Sequence, residues 1–320
     1  MEERLNLTEF AERIAELKAR IAETVVGQET VIDLLLTAIL SDGHVLLEGV
    51  PGVAKTLTAK LIARLVDARF SRVQFTPDLM PSDVLGTTVY NMQTGEFRFH
   101  QGPVFADILL VDEINRSPAK TQAALFEVME ERQVTIDGTR YPMGSLYTVI
   151  ATQNPVEQEG TYKLPEAQLD RFLMKVVVGY PDAEQEVQIL ERHQQPGFSL
   201  HLDEVRPLLT IDELLHFRQL AQQVYLDQSL LRYIVGIVSQ TRTSRSVFLG
   251  ASPRASVAIM RASKAYAMLN GRDFVTPEDI KFVAPHTLQH RIQLTAEAEM
   301  EGLTAQTVIA RLIDKVEIPR

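Results

Sequence analysis

Residues Gly49 to Thr56, which read Gly-Val-Pro-Gly-Val-Ala-Lys-Thr, lie between the apolar run Val45, Leu46, Leu47 and a helical pattern of Leu57, Leu61, Ile62 and Leu65. A strand, a loop of small residues and a helix together make the setting of a phosphate-binding loop. In that setting backbone N–H groups curl around phosphate oxygens, and the helix dipole adds partial positive charge. Gly49, Pro51, Gly52, Val53 and Ala54 are the expected cup, Lys55 the side chain that reaches the terminal phosphates, and Thr56 the hydroxyl that holds a magnesium ion. Ala54 stands where such loops usually carry their second glycine. Alanine is tolerated there if the residue already has right-handed helical dihedrals, because a Cβ then carries no left-handed penalty.

A second element strengthens the first. Ile108, Leu109, Leu110 and Val111 form a continuous apolar stretch that runs into Asp112 and Glu113. A buried parallel strand of this kind delivers carboxylates to its C-terminal end, the edge at which ligands bind in such sheets. Successive side chains on a strand point to opposite sides, so the two acids are expected to have different tasks. Asp112 is assigned to the magnesium ion, through water, and Glu113 to polarising an attacking water.

The chain has 320 residues and no cysteine, so two domains are expected, and disulfides and thiolate metal sites are excluded. No signal-like N-terminus or long uncharged apolar segment is present, and the cytoplasm is the expected compartment. With 32 basic and 42 acidic residues the net charge is −10, which disfavours broad nucleic-acid binding.

Apolar spacing predicts helices over Leu7–Thr24 and Val31–Leu40, separated by a break at Gly27. Further strands are expected at Ser71–Phe75, Ile108–Val111, Tyr147–Thr152 and Leu173–Val178, alternating with helices, the signature of a mostly parallel sheet. Two segments interrupt this alternation as β-hairpins: Val89–Phe99, turning at Thr94-Gly95, and Gln133–Met143, turning at Asp137-Gly138. From Pro181 onward helix-start signals dominate. Thr210 with Glu213 forms a capping box, Thr276-Pro277-Glu278-Asp279 combines cap, first-position proline and acids, and Ser252-Pro253 opens another helix. The division read from the sequence is therefore an α/β domain over residues 1–180 and an all-α domain over 181–320, with Gln194–Gly197 as an irregular break.

Three residues join the constellation. Asn154 follows the Tyr147–Ala151 strand, and its amide either closes an Asn-Pro turn or hydrogen-bonds a γ-phosphate and the attacking water. Arg171, just before the last strand, reads as a surface ion-pair partner or as an arginine acting on a neighbouring copy's transition state. Arg254 sits at the second position of the helix opened by Ser252-Pro253, where the macrodipole disfavours a cation by a few tenths of a kcal/mol. An exposed arginine tolerates that cost. Alternatively, the helix end and Arg254 together face bound phosphate.

Taken jointly, Gly49–Thr56, Leu110-Val-Asp-Glu-Ile-Asn-Arg116, Ala151-Thr-Gln-Asn-Pro155, Leu164-Pro-Glu-Ala-Gln-Leu-Asp-Arg-Phe172 and Ala251-Ser-Pro-Arg-Ala255 closely resemble the MoxR family of AAA+ ATPases. The resemblance spans almost the whole chain. It implies an α/β P-loop NTPase core with the hairpins as the helix-2 and pre-sensor-1 insertions, and a helical lid. It also implies that Gly49–Thr56 is Walker A, Asp112 and Glu113 Walker B, Asn154 sensor 1, Arg171 the arginine finger and Arg254 sensor 2, with Val26 in the segment beside the adenine. ATP and Mg2+ are the implied cofactors, and a hexameric homo-oligomeric ring with von Willebrand factor A-type partner proteins the implied assembly. Chaperone-like work on protein complexes, sometimes in metal-cofactor insertion, is the implied task.

Rival readings are weaker. The guanine-selecting Asn-Lys-x-Asp string is absent. A nucleic-acid motor is disfavoured by the acidic balance, although Arg98 and His100 stand near the first hairpin, and a chelatase-type ATPase subunit or a non-cycling nucleotide-bound scaffold remain as alternatives. His286 and His290 share a helical face without a third ligand at a zinc-binding spacing, and Leu125, Phe126 and Met129 read as core.

Overall fold

The computed structural model describes residues 5–154, 162, 164–194, 202 and 205–319, so Pro155 and most of the Gln194–Gly197 break lie outside the described residues. Two helices, α1 (Thr8–Ala22) and α2 (Glu29–Leu40), precede β1 (Val45–Gly49) and α3 (Lys55–Leu65). Then come β2 (Phe70–Gln74), α4 (Pro81–Leu85), the hairpin β3 (Gly86–Asn91) and β4 (Glu96–Gln101), and β5 (Ile108–Asp112). A 3-10 turn at Ile114–Arg116 leads to α5 (Ala119–Glu131), the hairpin β6 (Gln133–Ile136) and β7 (Thr139–Pro142), β8 (Thr148–Gln153), α6 (Glu166–Leu169) and β9 (Met174–Val178).

Five strands form one sheet in the order β2-β5-β8-β1-β9, and every pairing in it is parallel. Burial of both faces of the sheet explains the continuous apolar runs Val45–Leu47 in β1, Ile108–Val111 in β5 and Val149–Ala151 in β8. Val45, Leu47, Ile108, Leu110 and Ile150 enter the core on one face, whereas Leu46, Leu109, Val111, Val149 and Ala151 enter the core on the other with Phe126, Tyr147 and Phe172. Leu125, Phe126 and Met129 are buried there as expected. Both hairpins stand outside the sheet and touch each other. Thr88 Oγ1 donates to Asp137 Oδ2 at 2.8 Å, and the rings of Phe99 and Tyr141 lie 4.4 Å apart.

Beyond β9 follow α7 (Ala183–Gln194), α8 (Ile211–Gln223), α9 (Gln228–Thr243), β10 (Val247–Leu249), α10 (Pro253–Leu269), α11 (Pro277–Leu288), β11 (Gln293–Leu294), α12 (Ala296–Met300) and α13 (Ala305–Asp314). The capping boxes at Thr210 and Thr276 are formed. This half is helical, and it adds one feature that the periodicity does not contain: β10 and β11 pair as a short antiparallel ribbon. Two arginines with buried side chains fasten this half to the elements that flank the sheet. Arg218 of α8 donates to the Ile39 carbonyl at 2.7 Å and to Asp42 Oδ1 at 2.7 Å, and burial lowers its pKa to about 10 against the opposing pull of Asp42. Arg291 donates to Asp170 Oδ1 at 2.6 Å and to the Phe172 carbonyl at 2.7 Å.

Candidate functional site

The loop after β1 is shaped by two glycines with different tasks. A Cβ on Gly49 would meet the Val178 carbonyl oxygen of β9 at 2.5 Å, so only glycine lets the strands run this close. Gly52 has φ +87°, a left-handed conformation that side chains resist. Ala54 overturns the expectation of right-handed dihedrals: it is left-handed, φ 55° and ψ 17°, directly before α3 begins at Lys55. The chain must reverse there to aim the loop amides into one cup before the helix starts. Alanine, with the smallest side chain that has a Cβ, bears this at about 1–2 kcal/mol.

Gln28 holds the loop from outside. Its Nε2 donates to the Val53 carbonyl at 2.7 Å and its Oε1 accepts from Thr58 Oγ1 at 3.3 Å. Lys55 Nζ donates to the Gly49 carbonyl, and burial lowers its pKa while Asp112, Glu113 and Glu48 oppose that shift.

Two adjoining cavities meet at this loop. One, of about 250 Å³, is lined by Val25, Val26, Gly27, Gln28, Val53, Leu57 and Tyr180, an apolar slot beside the loop. The other, of about 390 Å³, brings together Pro51, Gly52, Val53, Ala54, Lys55, Thr56, Asp112, Glu113 and Asn154. The alternation argument for the two acids stops at Asp112. Glu113 has left β5 and is left-handed, φ 54° and ψ 52°, so both carboxylates face one cavity. Thr152 ties them, with its Oγ1 donating to Asp112 Oδ1 at 3.2 Å and accepting from the Glu113 amide at 3.0 Å.

Sequence reading missed three polar residues of this cavity: Arg72, Gln74 and Thr152. Arg72 Nε donates to Asp112 Oδ2 at 2.6 Å, and Gln74 Nε2 donates to Glu113 Oε2 at 2.7 Å. The signal available was position. Arg72 and Gln74 are alternate residues of β2, which pairs in parallel with β5, with Gln74 opposite Asp112.

Arg171 and Arg254 are elsewhere. They line a separate cavity of about 540 Å³, which shares no lining residue with the loop cavities. There both engage Glu130 of α5. Arg171 Nε lies 3.4 Å from Oε2, and Arg254 Nη2 lies 3.2 Å from Oε1. Arg254 is at the second position of α10, as its Ser-Pro opening predicts. His290 is buried with Nε2 2.9 Å from the Phe172 carbonyl, and burial holds its pKa well below that of a free imidazole.

The chain is similar to known proteins along most of its length. The family described as "ATPase family associated with various cellular activities (AAA)" matches residues 44–174, and the AAA lid domain matches residues 239–312. Chaperone MoxR1 of Mycobacterium tuberculosis is 44% identical over 309 residues, covering 94% of this chain and 81% of that protein. The chain belongs to the MoxR family of AAA+ ATPases. YeaC of Bacillus subtilis is 46% identical over 299 residues, covering 93% of this chain and 92% of its own. A crystal structure of a protein assigned as an ATPase from Cytophaga hutchinsonii superposes with a TM-score of 0.90 at 44% identity, covering 98% of this chain and 97% of that one. As a MoxR-family AAA+ protein, the chain is a nucleotide-binding, ATP-hydrolysing enzyme, and among its described residues no helix is long and apolar enough to cross a membrane.

Proposed function

We propose that this MoxR-family ATPase hydrolyses ATP at interfaces between copies of itself, and that the cycle drives chaperone-like remodelling or assembly of protein complexes, metal-cofactor insertion among them. One copy supplies the loop, with Val26 beside the base, Gly49–Thr56 around the phosphates, Glu113 polarising water and Asn154 orienting it. The next copy supplies Arg171 as arginine finger and Arg254 as sensor 2. Residues 1–180 act as the nucleotide-binding unit and residues 181–320 as the lid. One observation carries the reading: the two arginines share a carboxylate in a cavity apart from their own phosphate loop. A finger displayed away from its own site serves a neighbour, and a head-to-tail interface that closes gives a ring, here a hexamer.

The donor set suits magnesium. Thr56 offers a hydroxyl and Asp112 a carboxylate in one cavity, two hard oxygen ligands of the kind Mg2+ takes from protein while keeping several waters. When bound, the ion neutralises phosphate charge. Von Willebrand factor A-type proteins are the proposed partners and the cytoplasm the proposed compartment. The chaperone task is supported by the name of the 44% identical relative.

Mixing subunits tests the interface. Arg171→Ala and Glu113→Gln are each expected to lose turnover alone, while co-assembled mixtures regain part of it, because some interfaces then pair an intact Glu113 with an intact Arg171. Absence of any recovery in mixtures shown to co-assemble refutes catalysis across the interface.

A further inference from the structure

The cavity that holds Arg171 and Arg254 is crowded with cations. Arg132, Arg261 and Arg291 line it too, against three carboxylates, Asp42, Glu130 and Asp170. Two of those carboxylates are committed elsewhere. Asp42 takes Arg132 at 2.8 Å and Arg218 at 2.7 Å, and Asp170 takes Arg291 at 2.6 Å. Glu130 alone of the three contacts the two arginines assigned to the neighbour's nucleotide, with a different oxygen for each.

We propose that Glu130 is a positioning residue for the interfacial reaction, holding Arg171 and Arg254 side by side so that they reach the neighbouring triphosphate as a pair. The proposal rests on the reading that these arginines act across the interface. Two guanidinium groups repel each other, and one of these sits at a helix N-terminus that already disfavours a cation. A carboxylate between them offsets both costs. The helix that carries Glu130 adds to the effect. Arg171 Nη1 also donates to the Phe126 carbonyl, one turn before Glu130 on the same helix, so a second contact fixes the direction of its guanidinium. Side-chain exposures of 38% for Glu130 and 63% for Arg254 make these pairs weak as stabilisers of the fold. Their value lies in orientation, which a triphosphate can borrow because the guanidinium groups remain accessible.

Glu130→Gln keeps the shape of the side chain and removes its charge. In the assembled protein kcat is expected to fall about tenfold, the scale set by loss of orientation, while ATP affinity, thermal midpoint and oligomer size stay unchanged. A merely structural role would instead lower the midpoint and leave kcat per folded molecule intact. Added to Arg171→Ala, Glu130→Gln is expected to cost little more turnover, because the pair that it holds side by side is already broken. Wild-type kcat in Glu130→Gln, or an undiminished further loss in the Arg171→Ala background, overturns the proposal. If Arg171→Ala and Arg254→Ala each turn over like wild type, the interfacial reading itself falls and takes this role with it. If they fail while Glu130→Gln does not, only the role of Glu130 is lost.

Discussion

Glu113 shares a cavity with Asp112 because its backbone turns left-handed, φ 54°, immediately after β5 ends. On a continuing strand the two side chains would diverge, and one of them would leave the phosphates. The turn is fastened by Thr152, which accepts from the Glu113 amide, and by Gln74, which donates to its carboxylate. Glu113→Gln preserves the size and the turn but removes the base. ATP is expected to stay bound while turnover falls by about 10²-fold or more. Rapid phosphate release from this variant, measured in a single turnover, contradicts the role given to Glu113.

Ala54 is a residue under local backbone strain at φ 55°. Glycine would adopt that conformation freely, at the cost of a more flexible unfolded chain. The left-handed penalty of about 1–2 kcal/mol exceeds the entropic cost of about 0.4–1 kcal/mol, so Ala54→Gly is expected to raise stability slightly and keep ATPase activity. Ala54→Val, which is β-branched, is expected to lower stability. Denaturant titrations of both variants check the signs, and a destabilised Ala54→Gly contradicts the argument.

Much of the fold was legible because its signals are local. The strand–loop–helix around Lys55, the apolar run into Asp112 and the capping boxes at Thr210 and Thr276 each occupy a few consecutive residues. What the chain concealed is of two kinds. Backbone handedness at Ala54 and Glu113 runs against residue preference, and only the surrounding bonds impose it. Partners such as Arg72 with Asp112, or Glu130 with Arg254, lie 40 and 124 residues apart, and no periodicity connects them. The ribbon of β10 and β11 was hidden for a third reason. Strands of three and two residues are too short to show alternation.

Gln28 ties the apolar slot to the phosphate loop through the Val53 carbonyl and Thr58. Gln28→Ala leaves that carbonyl without its side-chain donor, at a cost of about 1 kcal/mol in stability. The larger effect is on binding. A loop that is no longer held in its bound shape must be ordered by the nucleotide, and ATP affinity is expected to fall about fivefold with kcat less affected. Titration calorimetry with ATP reads this directly, and unaltered affinity removes the positioning role from Gln28.

His44 supplies a prediction that depends on pH. Its ring is buried, with Nε2 3.3 Å from the Met129 carbonyl and Nδ1 accepting the Val149 amide at 3.0 Å, a pattern only the neutral ring satisfies. Burial lowers its pKa from 6.5 to about 4, Arg132 and Arg218 push the same way, and the Met129 carbonyl and Asp42 oppose them. Above pH 6.5 the ring is neutral folded and unfolded, so its contribution to stability is fully present. As pH falls from 6.5 towards about 4, the unfolded chain binds a proton that the folded protein refuses, and that contribution is lost. The whole loss is on the order of 3 kcal/mol. His286 and His290 are shifted downward too, so wild-type stability alone cannot isolate His44. The difference between wild type and His44→Gln can. In denaturant unfolding at pH 7.5 and pH 5, the variant is expected to lose less stability on acidification than wild type, whatever fixed cost the substitution carries. Parallel losses in the two proteins would show that the imidazole at position 44 is not held neutral by burial.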